Sequence, residues 1–342
     1  MKKFNLYFTL LLPLGLFPNA YAGPVAVTNE TQALQLEQAI DRASEQGNYS
    51  HVQELRLELA KHYASTAEFG SAARQYELLL ASRPSRHERV GYFVELGKMR
   101  YALENYDGAI AAYQDALHDD PKSWDAKLLL ARAYARTELD ARAIETYQWC
   151  LRTKPWARDP HEEIAAVYQR QGFLNKAIKN YQTANSMEAR PETYLALSDC
   201  YVRQGDVARA TDILQQAKAV LPRADYDVRL GEIYRRRGEL RKACAAWEEA
   251  LKSDPHRSDV QLQLAISYDQ LNRRSDSDRL FRQLLAAYPD SPLVHFLRAW
   301  ALYARGDARG SRQEALVVQR LAPTDVVRHY NDKLLEELQK HS

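Results

Sequence analysis

The segment His161-Glu162-Glu163-Ile164-Ala165 opens like a zinc-protease helix, in which two histidines one turn apart hold the metal and a glutamate serves as base. Position 165 is alanine, so the ligand pair is missing. The other histidines, at 51, 62, 87, 118, 256, 295, 329 and 341, are scattered, and none stands with cysteine at metal-ligand spacing. Cys150, Cys200 and Cys244 form no C-x-x-C pair, and an odd cysteine count in a chain of 342 residues is no disulfide framework. They read as small buried apolar side chains, with a Cys200–Cys244 bridge as the alternative. The sequence contains no G-x-S-x-G elbow and no Walker loop, and 13 glycines leave little material for cradling phosphates. Acid pairs such as Asp119-Asp120 and Glu248-Glu249 read as solvated faces. The expectation is a protein that is not an enzyme and holds no cofactor or metal.

The elements that would carry any other chemistry come from a repeat. Prolines near the ends of successive helix pairs, at Pro84, Pro121, Pro155, Pro222, Pro255, Pro289 and Pro323, are separated by 37, 34, 67, 33, 34 and 34 residues. The 67 is two periods, with Ala189 where one proline would stand. Inside the units the same residues recur in register. Leu59-Ala60-x-x-Tyr63 with Ala72-x-x-x-Tyr76 is matched by Leu130-Ala131-x-x-Tyr134 with Ala143-x-x-x-Tyr147, and by Ile164-Ala165-x-x-Tyr168 with Ala177-x-x-x-Tyr181. Further units read Leu197-Ser198-x-x-Tyr201 with Ala210, and Leu230-Gly231-x-x-Tyr234 with Ala243-x-x-x-Trp247. The second unit has Leu96-Gly97 but Arg100 in place of the tyrosine, and the seventh carries Ser277 at the alanine site. The eighth is the most degenerate.

A period of 34 residues built of two helices resembles the tetratricopeptide repeat (TPR) family over about 53–325. Each recurring site has a physical reason. A small residue stands where the two helices of a pair cross closely, and Leu and Tyr at i, i+4 form a buried stripe. Gly172, Gly205, Gly238 and Gly306 fall where a left-handed residue closes the first helix, and proline stops the second. No unit can bury its apolar face alone, so stacking must supply one core. The fold class implied is all-α, a right-handed superhelical solenoid of about eight repeats (53–86, 90–123, 124–157, 158–190, 191–223, 224–257, 258–291 and 292–325) with no internal linker. Residues 23–52 form an N-terminal segment with a capping helix, and 326–342, with Val326, Val327, Tyr330, Leu334, Leu335 and Leu338, a C-terminal one. His87–Arg89 make the one visible insertion.

In the family, first helices line a concave groove that holds a partner peptide or helix. The resemblance places Arg136, Arg170, Arg203 and Arg236 at one equivalent groove site, with Arg132, Arg229 and Arg235 nearby. A ladder of guanidinium groups suits carboxylates, hence an acidic peptide or an anionic glycan. The competing reading is a set of solvated positions partly neutralised by Glu162, Glu163, Asp199 and Glu232. Phe296, Trp300 and Tyr303 share a second candidate face, turned either to the groove or, if the last repeat shifts against its cap, to the core. Trp124, Trp149 and Trp156 form a third cluster whose facing the register leaves open. The Lys/Asn clamp of chaperone-binding relatives is missing, since Leu57, Lys61, Glu95 and Lys98 occupy its sites.

Residues 1–22 read as a cleaved signal peptide: Lys2 and Lys3, a short leucine-rich stretch broken by Pro13 and Gly15, then Ala20-Tyr21-Ala22. No cysteine adjoins the site, which argues against a lipoprotein, and no later stretch suggests a membrane span. Removing the leader takes the basic count from 47 to 45, equal to the 45 acids, so a nucleic-acid surface is not expected. The expectation is a periplasmic scaffold that binds other envelope proteins, with an anionic envelope polymer bound through the groove as the alternative.

Overall fold

The computed structural model describes residues 26–321 and 324–340, so the leader-like segment and Pro323 lie outside the described residues. The described secondary structure is helical, and the chain divides into two compact units at Thr193/Tyr194, a point inside one helix.

The first unit begins with α1 (Ala26–Glu45) and continues as helix pairs: α2 (Tyr49–Ser65) with α3 (Phe69–Ala81), and α4 (Arg86–Ala102) with α5 (Tyr106–Asp119). Two more pairs follow, α6 (Trp124–Arg136) with α7 (Asp140–Thr153), and α8 (Arg158–Arg170) with α9 (Leu174–Met187). Helix α10 (Pro191–Arg203) carries the division and pairs by sequence with α11 (Val207–Ala217). The second unit goes on through α12 (Arg223–Arg236) with α13 (Leu240–Ser253), and α14 (Ser258–Gln270) with α15 (Arg274–Ala287). It closes with α16 (Pro292–Ala304), α17 (Ala308–Arg320) and α18 (Asp325–Lys340). The expected helix pairs are therefore all present, and each unit is a helical repeat solenoid.

The repeat residues do what their chemistry requires. Ala60, Ala131, Ala165 and Ala265 are fully buried, as are Ala72, Ala109, Ala143, Ala177, Ala210 and Ala243 on the second helices. Small side chains there let antiparallel helices approach, and the large residues between them, Leu59, Tyr113, Tyr147, Trp247 and Phe281, are almost wholly buried. Burying each such side chain contributes about 1.5–3 kcal/mol, which stacking collects from both neighbours. The turn from first to second helix repeats one conformation: φ is positive at Ala67, Glu104, Glu138, Gly172, Gly205, Gly238, Asn272 and Gly306. Glycine thus fills only half of these left-handed sites.

Both caps form. In α1, Ala33, Leu36, Ile40 and Ala43 join the core of the first pairs. In α18, Leu334 and Leu338 are buried against Ala299 and Ala315, while Val326 is exposed. All three cysteines are free and buried, and burial pushes the Cys150 thiol up to about 11. Only half of the acid pair at 119–120 is solvated: Asp120 is exposed, but Asp119 is only 6 % exposed. Arg89 grips its carboxylate through two 2.5 Å hydrogen bonds, which hold it below the ordinary carboxylate range.

Two departures from the repeat pattern are interlocks. Arg100, where tyrosine is expected, donates to the Gly108 carbonyl at 3.1 Å and to Glu77 at 2.9 Å, tying α4 to α5 and α3. Ser277, at an alanine site, accepts a 3.0 Å hydrogen bond from Arg305, which also pairs with Asp269 and Asp278. A buried guanidinium left without its carboxylates would be costly, so Ser277 and Asp269 stand or fall with Arg305.

Candidate partner-binding surfaces

First helices touch one another along the stack: α4 meets α6, α6 meets α8, and in the second unit α14 meets α16. Within each unit, the first helices joined in this way form a wall. Arg136, Arg170, Arg203 and Arg236 are each the last residue of a first helix. Their shared position has a local cause, since a cation at a helix C-terminus meets unsatisfied carbonyls and the negative end of the dipole.

In the first unit these side chains do not stand as a free ladder. Arg170 pairs with Asp140 of the preceding repeat. Arg136 reaches back to Tyr106, its guanidinium 3.0 Å from the hydroxyl and 5.4 Å from the ring centre. Tyr106 and Asp140 are both the first residue of a second helix, so the two contacts are one rung used twice. Arg132 lies between Glu163 at 2.9 Å and Asp159 at 3.6 Å. The second unit places Arg229 against Glu232 at 2.8 Å, while burial and neighbouring Arg236 pull the Arg235 guanidinium below its ordinary value. Arg203 and Arg236 are exposed. The anticipated neutralisation by Glu163 and Glu232 is present. Asp140, Asp159 and Tyr106 were not anticipated, although the same 30-residue offset, 106 to 136 and 140 to 170, is readable in the sequence.

The aromatic face of the eighth repeat is core. Phe296 is fully buried, and Trp300 and Tyr303 are partly buried against the Leu334–Leu338 group of the cap. The three rings meet edge to face at 6.3 and 5.6 Å. Trp300 and Tyr303 are therefore not an open anchor, because α18 covers the face they would present. His161, the lone member of the zinc-like segment, lies 3.3 Å from Asn180.

Sequence reading missed a cleft on the first-helix wall of the first unit. It measures about 1120 Å³ and is lined by Leu57 and Lys61 of α2, by Val90, Gly91, Val94 and His87 of α4, and by Asp120–Ser123 and Asp125 beyond. The signal was the 37-residue step. The insertion does not form a loop: it falls within α4, which at 17 residues matches α2 and exceeds α6 and α8, 13 residues each, by a turn at its start. That turn is fixed by a capping box between Ser85 and Glu88 and by Arg86, whose Nε donates to the Asp119 carbonyl at 2.8 Å. The extra turn builds one wall of the cleft.

An analogous contact fixes α8. Arg158, 7 % exposed, donates to the Glu188 carbonyl and pairs with Glu162. Burial would raise the Glu162 carboxyl, but hydrogen bonds from Arg158 and Thr193 outweigh it and hold the group below its usual range. In α6 the same place is held by Trp124, whose indole N–H donates to the Cys150 carbonyl at 3.2 Å. Trp156, by contrast, is 74 % exposed.

Residues 94–155 and 234–301 each match a sequence profile of the tetratricopeptide repeat. The general transcriptional corepressor ssn6 of Schizosaccharomyces pombe is 26 % identical over 181 residues, covering 51 % of this chain and 15 % of that protein. This chain thus spans a small fraction of that relative's length. Among solved structures, the C-terminal part of a TPR repeat-containing protein from Cytophaga hutchinsonii has a TM-score of 0.56 at 14 % identity, covering 70 % of this chain and 97 % of that one. The APC/C Cut9–Hcn1 hetero-tetramer has a TM-score of 0.52 at 15 % identity, covering 89 % and 59 %. These two likenesses concern the fold. The repeat is thus matched twice by sequence and recurs as stacked helix pairs along the described residues, so the chain carries tetratricopeptide repeats in a helical solenoid, a fold that in general supports protein–protein interaction.

Proposed function

We propose that the protein is an exported scaffold of the cell envelope that holds partner proteins through the cleft on α2, α4 and α6. One observation carries the choice of site: Leu57, Ala64, Val90 and Val94 make an apolar floor beneath a rim of both charges. A floor of that kind takes the apolar side chains of a partner segment, and the rim fixes its direction. Of the charges on the rim, Glu95 is engaged by Lys98 at 2.7 Å and Asp119 by Arg89, which leaves Lys61, Lys122 and Asp125 to meet a partner. Export rests on the leader-like residues 1–22, and no helix among the described residues is long and apolar enough to cross a membrane.

Site-specific photocrosslinking in intact cells tests this. A photoreactive side chain at Gly91 or Val94 is expected to give the same discrete protein adducts, resistant to glycan digestion. The same group at exposed Asp115 on α5 should give none. Equal labelling at all three positions, or no protein adduct from the cleft, refutes the reading.

A further inference from the structure

A second surface differs from the cleft in chemistry and does not depend on that reading. Along the α6/α7 pair runs a slot of about 300 Å³ lined by Lys127, Tyr134, Arg142, Glu145, Thr146, Trp149 and Arg152. Arg142 and Arg152 stand ten residues apart on α7, which is about 15 Å along a helix. Elsewhere in this unit Arg100, Arg132 and Arg170 meet carboxylates and Arg136 a phenol. Here no carboxylate of the described residues lies within ion-pair distance of Lys127, Arg142 or Arg152.

The slot is also held in shape. Lys127 lies over the Trp149 ring at 4.7 Å and Arg142 over Tyr134 at 5.9 Å, contacts that restrict where both cations can point. The Tyr134 hydroxyl accepts from Gln114 at 3.1 Å, which leaves its own proton to donate. The Trp149 indole N–H has no acceptor among the described residues. Three cations, an indole and a phenol are all donors. The one carboxylate on the lining is Glu145, and the Thr146 hydroxyl donates to the Arg142 carbonyl.

We propose that this slot binds an acidic polysaccharide carrying carboxylates, a polyuronate. Its carboxylates match the guanidinium forks, and its ring and glycosidic oxygens accept from the remaining donors. An acidic peptide fits less well. It offers no pyranose ring to lie against the Trp149 indole on the lining, whereas a sugar chain does. The length of the slot suits an extended chain with charges at intervals better than one compact anion.

The test is calorimetric titration of the full chain with size-defined oligogalacturonates, with poly-L-glutamate as the peptide polyanion and dextran as the neutral glycan. Oligogalacturonate should bind, with affinity falling as salt rises. The triple variant Lys127→Gln/Arg142→Gln/Arg152→Gln should lose at least tenfold in affinity. Exposed Arg152→Gln alone should show a smaller loss, should the triple variant fail to fold. Trp149→Phe should weaken binding a few-fold. Arg282→Gln/Arg309→Gln/Arg312→Gln, which removes three exposed cations elsewhere, should bind as the parent does. Three results would overturn the proposal: no binding of oligogalacturonate, equal binding of poly-L-glutamate, or an equal loss in the charge-matched variant.

Discussion

Gly231 stands where most repeats carry alanine, and the structure gives a reason that can be tested by one methyl group. A Cβ built at Gly231 falls 2.3 Å from Nε1 of Trp247, 2.5 Å from its Cδ1 and 2.8 Å from its Cε2. Trp247 is wholly buried, and its indole N–H donates to the Val228 carbonyl at 3.2 Å. In Gly231→Ala the ring must retreat by more than an ångström within a close-packed core, which costs about 1–3 kcal/mol. Weakening the Trp247–Val228 hydrogen bond adds about 1 kcal/mol, and the better helix propensity of alanine returns about 1 kcal/mol. The net loss is about 2 kcal/mol, a roughly 30-fold fall in the local ratio of closed to open states. Stability of a repeat array is distributed over nearest neighbours, so native-state hydrogen exchange resolved by peptide is the suitable assay. Protection should drop over α12 and α13, less over α14, and little at α17. Replacing Trp247 by Leu in the alanine background should recover much of the protection, because the smaller side chain vacates the contested space. A Gly231→Ala protein with equal or greater protection would refute the argument: the propensity gain would then have outweighed a clash that the core absorbs freely.

Glu104→Gly and Glu138→Gly, at left-handed sites with φ of 59° and 58°, should each stabilise by about 0.5–1 kcal/mol, whereas Gly172→Ala should cost a similar amount. Thermal melts of the three variants measure this, and destabilisation by the two glycines would contradict it. A pH dependence is expected at the alkaline end. Burial, with hydrogen bonding to Glu37 and its charge, pushes the Tyr63 phenol up to about 12 from an ordinary value of 10.0. Burial, with the charge of Glu95, pushes Tyr76 up to about 12 as well. Both phenols are neutral in the fold while the unfolded chain ionises first. Their contribution is complete below pH 10 and lost as pH rises through about 12. Urea midpoints of the parent should fall over that window, and those of Tyr76→Phe should fall less.

The repeat was readable because its determinants are local: a small residue, a leucine and a tyrosine at fixed offsets dictate one helix pair without reference to the rest of the chain. The caps were readable for the same reason, as amphipathic stripes at the two ends. What escaped was chemistry decided across repeats. Arg170 looks like a free cation in its own helix, and its fate is set by Asp140, thirty residues earlier, which the stack brings beside it. The Phe296–Trp300–Tyr303 stripe has one appearance whether it meets solvent or a cap, and α18 settles the matter. Asp119 reads as half of a surface acid pair, and an arginine near the start of α4, the helix paired with its own, covers it.

The departures from the repeat pattern carry more information about this chain than the matches do. A matching residue is explained by stacking, which any array of these units needs. Arg100, Ser277 and the extra turn at the start of α4 weaken the consensus, so each needs a compensating contact. Arg100 and Ser277 find theirs inside the stack, in Glu77 and Gly108 and in Arg305. The extra turn is anchored as firmly, by Ser85–Glu88 and by Arg86 and Arg89 on Asp119. Yet its outward residues His87, Val90 and Gly91 line the cleft. A turn fixed at its base and open at its face has the form of a specificity element, because a rigid wall selects among partners at little entropic cost. Deleting His87–Arg89 should therefore change which partners crosslink at Val94 more than it changes the melting of the array, provided Asp119 is made Ala to remove its stranded charge.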